Sequence, residues 1–142
     1  MFKPLDKTMF VAGQIDSDDL HAAAAQGIKL IINNRPDNED AGQPEGKELE
    51  RLTKAMGMRY KAIPVTHAGF SQLQIDEMVI ALSRAEGPVL AFCRSGTRST
   101  LLWALAQAKL SVAPAELEAK AAAAGYDLAP IRAMLDMLAA AK

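Results

Sequence analysis

Two short apolar runs constrain the fold of this 142-residue chain more than any other feature. The run from Ile28 to Ile32 is rich in β-branched side chains and too apolar for an exposed edge, which predicts a central parallel strand. Pro88 to Phe92 is a second short apolar run and predicts another buried strand. Helix-like segments separate and follow these runs. Strands that alternate with helices predict an α/β fold with a mostly parallel sheet covered on both faces.

Capping residues and chain breaks define the other predicted elements. Strands are predicted at residues 9–14, 28–33, 59–65 and 88–92, in a sheet of four to five strands. Helices are predicted at residues 16–25, 47–57, 71–85, 99–110, 114–124 and 130–141, with Asp16 and Ser71 as two of the N-caps. Residues 35–46 hold prolines, glycines and acidic residues, which is typical of an irregular surface loop. Trp103, Met134 and Met137 are expected in the core.

Length and composition indicate a single domain over residues 1–142, with a core at about 9–110 and C-terminal helices at about 113–141. The net charge of −1 gives no general attraction for nucleic acid or a membrane surface, so any anion recognition must be local. The single cysteine, Cys93, cannot form an internal disulfide. With no membrane-spanning run and no signal peptide at residues 1–4, a soluble cytoplasmic protein is expected. Neither a metal-ligand cluster nor a nucleotide loop is recognisable, so no cofactor or metal is expected.

Cys93 ends a predicted strand and precedes a short polar loop that opens a helix. Backbone N–H groups of Ser95, Gly96 and Thr97 can form a concave nest for an oxyanion, and the helix N-terminus adds positive potential. Such surroundings favour the ionised form of a thiol, which predicts Cys93 as the nucleophile. Arg98 can grip two oxygens of a phosphate, sulfate or thiosulfonate, and Ser99 can donate its hydroxyl proton to the sulfur.

Two of these residues also have simpler interpretations. Cys93 can be a small buried residue at a strand end, as unreactive cysteines often are. Arg94 can contact substrate or simply point to solvent.

Ligands bind beyond the carboxyl ends of the strands in parallel sheets, so the loops after Asn33, Val65 and Phe92 should converge on one cleft. His67 is a candidate general acid because imidazole titrates near neutrality, although a loop histidine is often only solvent-exposed. Asn34 and Arg35 can orient the loop or contact substrate. Asp37 and the carboxylates after it are further candidate acids.

Four segments together resemble a known family: Ile31 to Asp37, Ala41 to Pro44, Ile63 to Val65, and Cys93 to Ser99. They resemble, in order and spacing, the phosphatase-like domain of the beta-lactamase hydrolase-like family, over about Met9 to Leu110. The resemblance implies the fold of dual-specificity and tyrosine phosphatases, with the cysteine loop as a phosphate cradle.

Two departures favour another chemistry. Phe92 stands where the phosphatases usually have a histidine, and four residues lie between Cys93 and Arg98, one fewer than in the phosphatases. The loop is also similar to that of single-domain rhodaneses, in which the cysteine carries a persulfide.

Three functions follow as alternatives. The first is hydrolysis of a phosphoester through a phosphocysteine, acting on an anionic small molecule or another phosphorylated substrate. The second is sulfur transfer, in which a persulfide on Cys93 passes to a thiol acceptor. The third is a non-catalytic anion-binding regulatory module. Fold analogy alone does not separate the first two, because function resides in the site.

Overall fold

The computed structural model describes residues 2–141, and a single sheet of five strands forms the centre of this part of the chain. The strands are β1 (Lys3–Asp6), β2 (Met9–Ala12), β3 (Leu30–Asn33), β4 (Arg59–Ala62) and β5 (Val89–Phe92). Their spatial order is β1-β2-β5-β3-β4. Strands β2, β5, β3 and β4 are parallel to one another, and β1 pairs with β2 in antiparallel fashion. The predicted α/β fold with a mostly parallel sheet is confirmed.

Helices follow the strands in alternation and then make up the C-terminal part. They are α1 (Ser17–Ala25), α2 (Gly46–Ala55), α3 (Gln72–Ser83), α4 (Thr97–Lys109), α5 (Pro114–Ala123) and α6 (Arg132–Ala140). The side chain of Asp16 accepts the backbone N–H of Asp19, and Ser71 caps α3 in the same way through Gln74. Both predicted N-caps are confirmed, and in each the side chain of the third helical residue accepts the backbone N–H of the cap residue.

The alternation of side chains along the strands divides the core into two layers. Val89 and Ala91 pack against the layer that contains α3 to α6, whereas Leu90 and Phe92 pack against the layer of α1 and α2. This is the period of two that a strand covered on both faces requires. Helix α4 lies deepest, since ten of its thirteen residues are buried.

Several predicted boundaries differ from the structure. Strand β1 was not predicted, because Pro4 and the charged residues Lys3 and Asp6 do not give a strand pattern. Helix α4 begins at Thr97, two residues earlier than predicted. The predicted helix 130–141 opens instead as a 3-10 turn over Ala129–Ile131.

Of the three large side chains expected in the core, two lie there and one does not. Trp103 is 1% exposed and Met134 packs against the core, as expected. Met137 is 72% exposed, so its predicted place in the core is wrong. It lies on the outer face of α6, whose buried residue is Leu135.

The predicted strand 59–65 is regular only as far as Ala62. Pro64 is tolerated on this edge strand, because the N–H groups that pair with β3 belong to residues 59, 63 and 65. The chain nevertheless stays beside β3: the Ile63 N–H donates to the Asn33 carbonyl and the Val65 N–H donates to the Asn34 carbonyl, each at 2.9 Å. This extension brings residues 63–65 to the carboxyl edge of the sheet.

Among the helices of residues 2–141, none has the length and apolar character needed to cross a membrane.

Burial of α4 yields a stability prediction. Leu102 is completely buried, so Leu102→Ala should lower the free energy of unfolding by about 2–5 kcal/mol through lost contacts and a residual cavity. Leu73→Ala is the matched control on α3, where the side chain is 69% exposed. It should change the free energy of unfolding by less than about 0.5 kcal/mol. Urea denaturation measures both; equal losses in the two variants would contradict the burial of α4.

Candidate active site

Cys93 lies directly after β5 and is 1% exposed. The backbone N–H of Gly96 donates to its Sγ at 3.1 Å, and α4 begins one residue later. The sulfur therefore sits beside the N-terminus of a helix, where unpaired N–H groups carry positive partial charge. This is the strand, loop and helix arrangement that the sequence predicts around Cys93.

The end of β2 and the loop that follows it contact the cysteine loop. The Cys93 N–H donates to the Ala12 carbonyl at 3.4 Å, and the Gln14 N–H donates to the Arg94 carbonyl at 3.3 Å. A Cβ at Gly13 would lie 2.9 Å from the Arg94 carbonyl oxygen, closer than real Cβ contacts allow. Glycine is thus required at position 13 for the two loops to approach, a role that sequence reasoning missed.

Only glycine fits at position 96, for two reasons. Its φ of +90° lies in the left-handed region that favours glycine, and a Cβ there would lie 2.1 Å from the hydroxyl oxygen of Tyr126. Tyr126 comes from the turn after α5 and was not among the predicted site residues.

Arg98, on the first turn of α4, is largely buried and is held by two other loops. Its Nη1 donates to the Val65 carbonyl at 2.7 Å and to Glu39 Oε2 at 2.7 Å, while Nη2 donates to Glu39 Oε1 at 2.8 Å. The hydrogen bonds with Glu39 raise the pKa of Arg98 above its usual value, and negative charge at Cys93 adds to this. The loops after Asn33, Val65 and Phe92 therefore meet at the carboxyl edge of the sheet, as predicted.

Glu39 is the carboxylate that joins the two buried arginines. Hydrogen bonds from Arg98 and then Arg35 lower its pKa from 4.5 to about 2, against the opposing effect of burial. Glu39 is therefore ionised at neutral pH and does not serve as a proton donor. This corrects the expectation that the carboxylates after Asp37 are all candidate acids.

The guanidinium of Arg35 lies inside the protein. Its Nε donates to Glu39 Oε1, Nη1 to Gln14 Oε1 and Nη2 to Asp40 Oδ2, at 2.9, 2.9 and 2.6 Å. Since each of its nitrogens already has a protein acceptor, Arg35 organises the loop after β3 in this structure. Of the two roles considered for it, the structure favours orientation of the loop over contact with substrate.

Ser99 and Asn34 form a buried link between α4 and β3. The Ser99 hydroxyl donates to Asn34 Oδ1 at 2.7 Å, and Asn34 Nδ2 donates to the Ile63 carbonyl at 2.9 Å. The predicted hydrogen bond from Ser99 to the sulfur is not what the structure shows, because the hydroxyl proton is directed at Asn34. Both residues fix the positions of the loops in this arrangement.

The exposed part of the cysteine loop consists of Arg94, Ser95 and Thr97. The side chain of Arg94 is 64% exposed, and its Nε lies 3.5 Å from Asp40 Oδ2. The hydroxyls of Ser95 and Thr97 share a hydrogen bond of 3.0 Å. These three side chains belong to the loop that follows Cys93 and are accessible to a ligand.

His67 is exposed in the loop that follows residues 63–65. Within residues 2–141, no hydrogen bond or ion pair joins it to the other predicted site residues. In the same part of the chain, no cluster of three or more His, Cys, Asp or Glu side chains could hold a metal ion.

The mostly parallel sheet, with Cys93 at its carboxyl edge and Arg98 on the helix that follows, has the protein tyrosine phosphatase-like fold. Residues 1–110 match the family described as "Beta-lactamase hydrolase-like protein, phosphatase-like domain". The chain belongs to this family, as the sequence motifs indicate.

Relatives and solved structures agree with this assignment. A beta-lactamase hydrolase-like protein of Agrobacterium fabrum is 38% identical over 104 residues, covering 73% of this chain and 24% of that protein. A crystal structure from Neisseria meningitidis, provisionally described as a phosphatase, is 33% identical with a TM-score of 0.83 and covers 96% of both chains. Kinase associated phosphatase, solved with its catalytic-site cysteine substituted by serine, has the same fold at 17% identity, with a TM-score of 0.73 over 99% of this chain and 96% of that one. The chain spans about a quarter of the length of the curated relatives it matches.

The lowered pKa of Glu39 yields a prediction about acid stability. Because its folded pKa is depressed, the carboxylate contributes stability above its unfolded pKa of 4.5 and loses it as the pH falls toward about 2. Glu39→Gln should lower the free energy of unfolding by about 2 kcal/mol at neutral pH. Between about pH 5 and about pH 2, the free energy of unfolding of Glu39→Gln should fall less steeply than that of the wild type.

Urea denaturation at a series of pH values measures both effects. Glu48→Gln is the matched control, since it removes a carboxylate from a solvent-exposed pair with Arg51 and should change the stability much less. An acid decline in Glu39→Gln as steep as in the wild type would contradict the assignment.

Proposed function

We propose that this protein is a cysteine-dependent phosphatase that hydrolyses a phosphoester through a phosphocysteine. The observation that carries the proposal is the position of Cys93 Sγ, 3.1 Å from the Gly96 nitrogen at the start of α4 and beside Arg98. A thiolate at a helix N-terminus next to a guanidinium is both activated and able to receive an anionic substrate. The family and the fold support the same chemistry.

In the first half-reaction Cys93 Sγ attacks phosphorus, and the S–P bond forms as the bond to the leaving oxygen breaks. Loop N–H groups and Arg98 stabilise the oxygens of the transferring phosphoryl group. The guanidinium has more N–H donors than its bonds to Glu39 and Val65 use, so donors remain for the anion. Water then attacks phosphorus, the S–P bond breaks, and inorganic phosphate leaves with the thiolate restored.

The leaving oxygen needs a proton, and we propose His67 as its source. Glu39 is excluded by its pKa of about 2, whereas His67 lies in the exposed loop that follows Val65, whose carbonyl binds Arg98. Imidazole can donate a proton near neutral pH. Arg94, Ser95 and Thr97 are proposed to contact the rest of an anionic or phosphorylated substrate, through their exposed side chains and loop amides.

Sulfur transfer is the second candidate, and the length of the loop favours it. Four residues lie between Cys93 and Arg98, which gives a tighter cradle than in the phosphatases. Cys93 would attack a sulfane sulfur, Arg98 would hold the anion that departs, and the persulfide would pass to a thiol acceptor. This reaction needs no strong acid for its leaving group.

An assay of the wild type and Cys93→Ser distinguishes the two reactions. Each protein is given either an aryl phosphate or thiosulfate with a thiol acceptor, and release of phosphate or transfer of sulfur is measured. We expect phosphate release from the wild type and a fall of at least about 1000-fold in Cys93→Ser, with the fold intact. Cys93-dependent sulfur transfer without phosphate release would overturn the phosphatase. Phosphate binding without either turnover would indicate an anion-binding module.

Arg98→Lys tests whether the Arg98 guanidinium binds the anion, by calorimetry with inorganic phosphate. Lysine keeps the charge but not the planar pair of donors, so phosphate binding should weaken by about tenfold or more. Arg51→Lys is the matched control on the exposed face of α2 and should bind phosphate like the wild type. Equal affinities in Arg98→Lys and the wild type would remove Arg98 from the site.

A further inference from the structure

Tyr126 lies outside the residues that match the family model, yet it contacts the cysteine loop. Its hydroxyl donates to the Ser95 carbonyl at 2.9 Å. The same oxygen is so close to the Gly96 backbone that no Cβ fits between them. The turn between α5 and the 3-10 segment therefore covers one side of the loop.

The Ser95 carbonyl and the Gly96 N–H are the two ends of one peptide unit. A peptide is planar and trans, so its C=O and N–H point in opposite directions. One end accepts the Tyr126 hydroxyl, and the other donates to Cys93 Sγ at 3.1 Å. A hydrogen bond that holds the carbonyl outward therefore aims the N–H at the sulfur.

The conformation of Gly96 does not by itself fix the orientation of this peptide. Gly96 has a φ of +90°, and glycine populates positive and negative φ about equally. The next peptide is secured, because the Gly96 carbonyl accepts from the Thr100 N–H at 3.0 Å and its hydroxyl at 2.8 Å. Among the described residues, the Ser95 carbonyl accepts a hydrogen bond from Tyr126.

Tyr126 is itself held in a state suited to donation. Lys3 Nζ, from the edge strand β1, lies 5.0 Å from the centre of its ring, within cation–π range. Burial raises the pKa of the Tyr126 phenol, and negative charge at Cys93 acts in the same direction. The phenol therefore stays protonated at neutral pH.

We propose that Tyr126 is a positioning residue, which fixes the Ser95–Gly96 peptide so that the Gly96 N–H stabilises the Cys93 thiolate and a bound oxyanion. The inference rests on the proposed role of Cys93 as the nucleophile of an anion-binding loop. It extends the functional unit into the C-terminal segment, beyond the region that defines the family.

Tyr126→Phe in the full chain tests this by removing the hydroxyl and keeping the ring. The rate of Cys93 alkylation by iodoacetamide is measured against pH, and inorganic phosphate binding is measured by calorimetry. Loss of one hydrogen bond to a charged sulfur should move the alkylation midpoint up by about one pH unit. Phosphate affinity should fall by about tenfold.

Ser83→Ala is the matched control, because it removes a hydroxyl that donates to a backbone carbonyl, that of Ile80, on α3. It should leave both measurements as in the wild type. Gly96→Ala is a second variant in which the added Cβ displaces the phenol oxygen, and it should shift both measurements in the same direction as Tyr126→Phe. Thermal unfolding confirms that each variant is folded.

A Tyr126→Phe protein with the wild-type alkylation midpoint and phosphate affinity would overturn the role of Tyr126 while leaving the proposed function intact. A wild type that neither binds phosphate nor shows an ionised Cys93 at neutral pH would instead overturn the proposed function, and the positioning role with it. The wild-type measurements alone distinguish these two failures.

Discussion

The pairing of Arg98 with Glu39 joins two parts of the chain that are 59 residues apart. Through it, the loop after β3 is tied to the first turn of α4, and the Val65 carbonyl adds the loop after β4. The hydrogen bond from Ser99 to Asn34 is a second, buried link between the same two parts of the chain. Two buried arginines share the Glu39 carboxylate, which keeps its charge because its pKa is about 2. Asp40 also pairs with Arg35, so two carboxylates balance the two arginines. Attraction for an anion is therefore local, at the remaining donors of Arg98 and the N-terminus of α4.

The parts of the site that could be predicted are those encoded within a few residues. Cys93, Gly96 and Arg98 lie on one short segment, and the apolar strand before them and the helix after them fix their relative positions. The convergence of loops at the carboxyl edge follows from a parallel sheet alone. The N-caps Asp16 and Ser71 were likewise predictable, because a cap and its partner are three residues apart.

The parts that could not be predicted depend on contacts between distant segments. Glu39 stands in a loop with several acidic residues, and nothing local distinguishes the one that meets Arg98. Ser99 was assigned to the sulfur because Cys93 is near in sequence, whereas its acceptor is Asn34, 65 residues away. Tyr126 and β1 were both missed, although Lys3 of β1 packs on the Tyr126 ring. Short edge strands and single aromatic residues leave no periodic pattern to detect.

The cysteine loop is held at three points by three different elements. The Ala12 carbonyl at the end of β2 accepts the Cys93 N–H, Thr100 of α4 donates to the Gly96 carbonyl, and Tyr126 donates to the Ser95 carbonyl between them. A cradle fixed in this way is already ordered before an anion binds, so binding costs little conformational entropy. Phosphoryl transfer and sulfur transfer both need such a cradle. The choice between them therefore depends on the interval between Cys93 and Arg98 and on whether His67 can reach the leaving group.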